Sequence, residues 1–275
     1  MRPLGIFAWF GYDLPVQQSL KKIKAAGFDG VMLWWGEFEG DIPLAQQPKL
    51  ARSLGLRVEN AHAPFDGCNS LWEPGMQGDL YADSLVRCAQ GCAEAGVRVL
   101  VAHLSDGPAP PPWHPRGVER LRQAAEAARR LGVVLALENL RHPDYLRRTL
   151  DALPDAALCY DSGHAQVEFP PVEHLPDGNR LPARYAGRVE AVHLHDNDGK
   201  ADRHLLPFDG VIDWQGVAGR LRAAEYAGPL TLEVQAGEAY EGRMDADAFL
   251  ARAYAAAARL RGLLDGEGPG RLGLG

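Results

Sequence analysis

Three observations predict a single closed (β/α)8 TIM barrel. Short apolar runs alternate with longer amphipathic ones eight times along the chain. The repeat is about 30 residues, the size of a strand with its right-handed crossover helix. The apolar runs are continuous rather than alternating, as in parallel strands covered on both faces. An eightfold count favours a closed barrel over an open doubly wound sheet.

In order, Leu4 to Phe10 reads as a strand, and Pro15 opens a helix that ends near Gly27. Phe28 to Trp35 is the second strand, with a helix from about Pro43 to Leu54 stopped by Gly55. Leu56 to His62 is the third; a Gly/Pro-rich loop from Pro64 to Gly78 precedes a long helix to about Ala95. Val97 to His103 is the fourth. The run from Gly107 to Pro112 is too proline-rich for a helix, and Val118 to Leu131 supplies one instead. Val133 to Leu137 and Ala156 to Tyr160 are the fifth and sixth strands, separated by a helix from Pro143 to Leu153. A proline-broken, weakly helical passage follows. Val189 to His195 and Leu230 to Val234 are the seventh and eighth, each followed by a helix (Trp214 to Ala227, Asp245 to Leu264).

The chain has 275 residues, and such barrels take about 250 as one unit. The barrel is expected over 1–264, with a frayed Gly-rich tail over 265–275. The GxGxxG match from Gly268 to Gly273 follows no strand and opens no helix, so it carries no nucleotide reading. Composition is that of a soluble globular protein, 46% hydrophobic and 24% charged. No apolar run reaches the roughly 18 residues of a membrane span, and no signal-peptide pattern opens the chain, so a cytoplasmic location without membrane contact is expected. A net charge of -7 argues against a nucleic-acid partner and leaves a small molecule; homo-oligomerisation stays open. Cys68, Cys88, Cys92 and Cys159 form no CxxC pair and read as packed thiols.

Polar residues gather at the carboxyl ends of the strands. His62, His103, Glu138, Asp161 and Glu233 end the third, fourth, fifth, sixth and eighth. His195 ends the seventh, His164 stands three residues beyond Asp161, and Asp202 and His204 lie in the loop after His195. Buried ionisable groups require mutual pairing or cations. Arg141 and Arg203 flank the set but are too few to neutralise it. A divalent cation (Mn, Zn, Co or Fe) fits this imidazole and carboxylate set. His193 shares a face with His195 but lies deeper, in a supporting position. His114, His142 and His174 read as solvated, and Glu37 as an extra acid at the second strand's exit. Trp34, Trp35, Phe65 and Trp72 lie at or after strand ends, where they suit either packing or an apolar wall for a sugar-like ligand. Lys200 and Arg203 are cations that could meet an anionic group.

As a set these residues resemble the xylose-isomerase-like TIM-barrel superfamily, from about Leu4 to Leu264. The most specific matches are Asp161-Ser162-Gly163-His164, the run from His193 to Asp198, and Asp202-Arg203-His204 leading to Gly210 and Trp214. The resemblance implies a metal held by Glu138, Asp161, His195 and Glu233, with His164 on the substrate. Similarity to the family's abasic-site nuclease, endonuclease IV, adds His62, His103, His164, Asp202 and His204, enough for up to three metals. Two departures matter. The loop from Trp35 to Asp41 is acidic where a DNA-facing loop should be basic, and the epimerases' arginine after the metal-binding histidine has no clear match, Arg203 being the nearest candidate, two positions late.

The expected function is a metal-dependent isomerase or epimerase of a small sugar or polyhydroxy carbonyl compound, working by proton transfer through a metal-stabilised enediolate. Glu138 and Glu233 would be the acid and base, and Trp34, Phe65, Trp72 and Arg203 substrate contacts. The alternatives are a multi-metal phosphodiesterase on abasic-site DNA, an in-family dehydratase or lyase, and a non-catalytic sugar-binding barrel.

Overall fold

The computed structural model describes residues 1–36, 42–166, 185–240 and 242–266. Its first half runs β1 (Leu4–Phe7), α1 (Val16–Ala25), β2 (Gly30–Trp34), α2 (Gln47–Ser53), β3 (Arg57–His62), α3 (Met76–Glu94), β4 (Val99–Ala102) and α4 (Pro115–Arg130). The second runs β5 (Val134–Glu138), α5 (Pro143–Ala152), β6 (Ala157–Asp161), α6 (Ser162–Gln166), β7 (Val189–His193), α7 (Trp214–Ala223), β8 (Leu230–Leu232) and α8 (Ala246–Asp265). The strands form one eight-stranded sheet in the order β7-β6-β5-β4-β3-β2-β1-β8, every pairing parallel. A bridge from Leu194 to Leu232 joins the two ends. Across it the Leu194 N–H donates to the Thr231 carbonyl (3.0 Å) and the Glu233 N–H to the Leu194 carbonyl (3.1 Å). The predicted (β/α)8 barrel is therefore the observed fold.

Strand alternation sorts the side chains. Leu4, Ile6, Val31, Leu33, Val192 and Leu194 face outward into one helix-covered core, and Leu100, Leu135, Leu137 and Leu158 into another. The inward set on β4 to β7 is a separate cluster of small residues: Val99, Val101, Ala136, Ala157, Cys159 and Ala191. Side chains repeat every second residue on a strand. The next inward positions above Ala136, Cys159 and Ala191 are thus Glu138, Asp161 and His193. The packed floor is apolar, and the layer above it ionisable.

Two bulges shape the opposite end. Register shifts place Glu59 of β3 and Glu190 of β7 as extra residues in their ladders. The Glu59 carboxylate lies across Gly5 and Gly30; a Cβ on these would fall 2.0 Å from its Oε2 and 2.3 Å from its Oε1. Glycine is required there for close approach.

The helices depart from expectation at their ends. The second opens with a 3-10 turn (Leu44–Gln46), and the 64–78 loop holds another (Cys68–Trp72). The seventh ends at Ala223 rather than Ala227, since Glu225 turns to a φ of 53°. The weakly helical passage expected after the sixth strand begins as the short α6, which starts because Asp161 Oδ1 accepts from the His164 N–H at 2.6 Å. No described helix is long and apolar enough to cross a membrane. The four cysteines are free. Glu37, His174, most of the passage after the sixth strand and the tail beyond Gly266 lie outside the described residues.

Candidate active site

A cavity of about 670 Å³ opens at the carboxyl ends of the strands. His62, His103, His164, Asp202, His204 and Glu233 line its base, and Phe7, Trp9, Trp34 and Phe65 form an aromatic wall.

Glu138 is the hub. Its Oε2 lies 3.1 Å from His62 Nε2 and 3.4 Å from His103 Nε2; its Oε1 lies 3.2 Å from His164 Nδ1 and 3.4 Å from His193 Nδ1. His193 Nδ1 also lies 3.5 Å from Glu233 Oε2, so the two glutamates flank it. On the other side, His195 Nε2 is 3.1 Å from Asp161 Oδ2, and Asp202 Oδ2 is 3.1 Å from His164 Nε2 and 3.4 Å from His204 Nε2. Glu138, Asp161, His193 and His195 are fully buried.

Backbone contacts set the tautomers. The Nδ1 of His62 meets the Ala63 carbonyl at 2.8 Å, and that of His204 meets the Glu233 carbonyl at 2.7 Å. Each nitrogen must donate to its carbonyl, so in the neutral ring Nε2 turns a lone pair toward a carboxylate oxygen. Two acceptors face each other at 3.1 Å in the His62 and Glu138 pair. Only a proton or a cation resolves that contact, and backbone-oriented imidazole is the usual setting of a metal-binding histidine. Among the described residues, His103 Nδ1, Glu138 Oε1, both nitrogens of His193, His195 Nδ1 and Asp202 Oδ1 are buried without a hydrogen-bond partner. Donor atoms of His62, His103 and Glu138 lie mutually within 4.8 Å, as do those of Asp161, His164 and His195, of His195, His204 and Glu233, and of His62, His193 and Glu233.

The electrostatics agree. Burial pushes the Glu138 carboxyl up, but His193 and His103 outweigh it and hold it well below the usual carboxylate range. Burial opposes and His164 and His195 lower Asp161 in the same way. Burial would depress His164 and His193; nearby carboxylates, with Cys159 at His193, raise both well above the ordinary imidazole value. His204, likewise opposed by burial, is raised to about 9 by Asp202. The potential that retains protons on these imidazoles would equally hold a divalent cation. The donor set fits a metal.

A model of the xylose isomerase-like TIM barrel matches residues 20–255. The chain belongs to this family. A protein of Streptomyces coelicolor named as a candidate hydroxypyruvate isomerase is 26% identical over 251 residues, 82% of this chain and 88% of that one. An uncharacterised protein of Sinorhizobium fredii is 36% identical over 103 residues, 38% of this chain; the match spans 30% of that protein's length. Among solved structures, an L-ribulose 3-epimerase superposes with a TM-score of 0.74 at 20% identity, covering 99% of this chain and 100% of that one.

Within this xylose isomerase-like chain, supporting contacts fix the site. Asn139 clamps the end of β6, its Nδ2 donating to the Asp161 carbonyl (2.8 Å) while its Oδ1 accepts from the Asp161 N–H (2.7 Å). The Ser162 hydroxyl accepts from the His195 N–H and donates to its carbonyl. Gly163 passes under the His195 ring, where a Cβ would fall 1.9 Å from Cε1. Asp196 accepts from the N–H groups of Asn197, Phe208 and Ile212 and from Trp214 Nε1. It thereby holds the loop that carries Asp202 and His204. His204 sits at a φ of 46°, an uncommon backbone state for a non-glycine residue.

All nine sequence-derived donors meet in this cluster. His193, expected in support, stands between Glu138 and Glu233. Trp34 stacks on His62 (5.5 Å between centroids) and Phe65 on His103 (4.4 Å). Trp72 does not reach the cavity. Its indole donates to the Leu104 carbonyl at 2.6 Å and packs on Trp113 and Tyr145 inside the second helix-covered core. Arg203 turns away to Asp198 and, at longer range, Glu238, so it is not at the cavity wall. His142 is not solvated as expected: its Nε2 is buried, and the residue lines the cavity with Arg141. Phe7 and Trp9 were missed because both fell inside a run read only as a strand.

Proposed function

We propose that the chain is a divalent-metal-dependent isomerase or epimerase of a small sugar or polyhydroxy carbonyl compound. The observation that carries this reading is the pair Glu138 and Glu233, delivered from β5 and β8 to either side of one imidazole in a buried donor cluster. Glu138, Asp161, His195 and Glu233 would hold the first cation, and His62, His103, His164, Asp202 and His204 supply donors for up to two more. When bound, the cation supplies Lewis acidity toward a carbonyl oxygen and its neighbouring hydroxyl.

The chain's own groups do the proton work. A glutamate that offers one carboxylate oxygen to a cation retains the other as a base, so Glu138 and Glu233 can exchange protons with the two faces of a substrate carbon. His164, between Glu138 and Asp202, is placed to bond a hydroxyl. Trp34 and Phe65 cover the substrate and exclude water. The family and its epimerase-like neighbours support the broad assignment. Glu138→Gln and Glu233→Gln should each lower turnover by at least roughly 100-fold with the circular dichroism unchanged. Near-wild-type turnover in both would sink the assignment.

A phosphodiesterase reading draws on the separate donor triads, which suit clustered metals. Against it, the cavity also carries Asp66 and Asp106, which oppose a polyanionic backbone. Metal-dependent nicking of an abasic-site duplex at low salt would establish it.

A further inference from the structure

We propose that Arg141 and His142, at the junction of β5 and α5, form an anion subsite, and that the substrate carries a terminal acid group, carboxylate or phosphate. This deepens the isomerase reading and rests on it for the reacting end of the ligand.

Arg141 is the one lysine or arginine lining the cavity among the described residues. It is half-buried, yet makes no hydrogen bond, ion pair or ring contact within them. Three other arginines that are wholly or partly covered have partners: Arg120 five acceptors, Arg188 three carbonyls, Arg203 the Asp198 and Glu238 carboxylates. A guanidinium presents a rigid donor fork matched to carboxylate or phosphate oxygens. Beside it, His142 Nε2 is shielded from solvent and has no hydrogen-bond partner among the described residues. His142 is also the residue before α5, and its side chain makes no cap bond. A second residue lining the same cavity therefore carries a polar atom whose bonding is unmet.

The placement is firm. Asn139 is pinned to β6 at two atoms and Leu140 is buried, so the step from Glu138 to Arg141 is tethered. Three residues span at most about 11 Å. A short-chain compound can therefore meet the donor cluster at one end and Arg141 at the other. Asp66 and Asp106 line the cavity from the β3 and β4 loops, where they suit hydroxyl groups rather than the acid.

The test is titration calorimetry on metal-loaded wild type, Arg141→Ala and Arg141→Lys. The probes are erythronate, glycerol 3-phosphate and neutral erythritol, and none needs to react. Arg141→Ala should weaken one or both anions by roughly 10- to 100-fold, leave erythritol and the bound metal unchanged, and be partly rescued in Arg141→Lys. Loss confined to erythronate assigns a carboxylate; loss confined to glycerol 3-phosphate assigns a phosphate. Equal anion binding by wild type and Arg141→Ala overturns the subsite, as does absence of anion binding up to about 10 mM. Anion binding through Arg141 without turnover of any acidic ketose would count against the isomerase assignment alone.

Discussion

At the residue scale, two positions are set by contacts that a single atom would break. Gly163 has no room for a methyl group, because the His195 ring occupies its Cβ position. Gly163→Ala should displace His195 and lower metal affinity by about 10- to 100-fold, read by elemental analysis, while the far-ultraviolet spectrum stays native. Glu59 is the second. Burial raises its carboxyl to about 7 despite the hydrogen bond from Thr231. Its folded pKa exceeds the unfolded one, so its contribution is fully present below the unfolded value and is lost as pH rises through about 7. Above that pH the buried charge is a cost. Glu59→Gln keeps an acceptor for Thr231 and should raise stability by about 1–3 kcal/mol at alkaline pH, with no gain in mild acid. Thermal melts at the two pH values check this; equal effects at both would exclude Glu59 titration as the source.

At the scale of elements, the barrel depends on a few buried anchors. Arg120 of α4 gathers the 3-10 turn and the start of α3, donating to the Ser70, Leu71, Glu73 and Gly75 carbonyls and to Asp79. Lysine cannot reproduce that fork. Arg120→Lys should lower Tm by roughly 5–10 °C with metal content retained, whereas a comparable fall after Arg122→Lys, at a half-exposed neighbour on the same helix, would show that α4 itself, not the anchor, was perturbed. Element boundaries were only partly legible. Strand 3 was readable to His62 from the Gly55 that stops the preceding helix and the Pro64 that opens the following loop, although Glu59 and Asn60 interrupt its apolar period. The α6 turn was legible only as a weakly helical passage without bounds, because its start depends on Asp161 folding back onto the His164 amide rather than on any apolar period. Trp72 and Trp34 look equivalent in sequence, each near a strand end. Only the course of the following turn sends Trp72 into the core and leaves Trp34 on the cavity.

At the scale of the whole molecule, the proposed metal would tie protons and stability together in the cluster. Without a cation, His164, His193 and His204 balance the carboxylates as imidazolium. Their folded values lie above the unfolded one, so this stabilisation is complete below about 6.5 and is lost as pH rises through about 9 for His204. Chelator-treated protein should therefore lose Tm steeply between neutral and alkaline pH, and metal-loaded protein should not. Saturating metal at about 100 times its dissociation constant would add about 2.7 kcal/mol. Parallel pH profiles for the two forms would remove the metal from the cluster's charge balance.

The chain's pattern alone determined the eightfold barrel and the strand ends that deliver His62, His103, Glu138, Asp161, His195 and Glu233, because side-chain alternation and loop position are local properties. Tertiary structure decided the rest. It showed that His193 stands between two glutamates, that backbone carbonyls turn imidazole lone pairs onto carboxylates, that Arg203 is spent on Asp198, and that Arg141 lines the cavity with no partner among the described residues. These depend on distances between strands far apart in sequence, and such distances exist only once the barrel has closed.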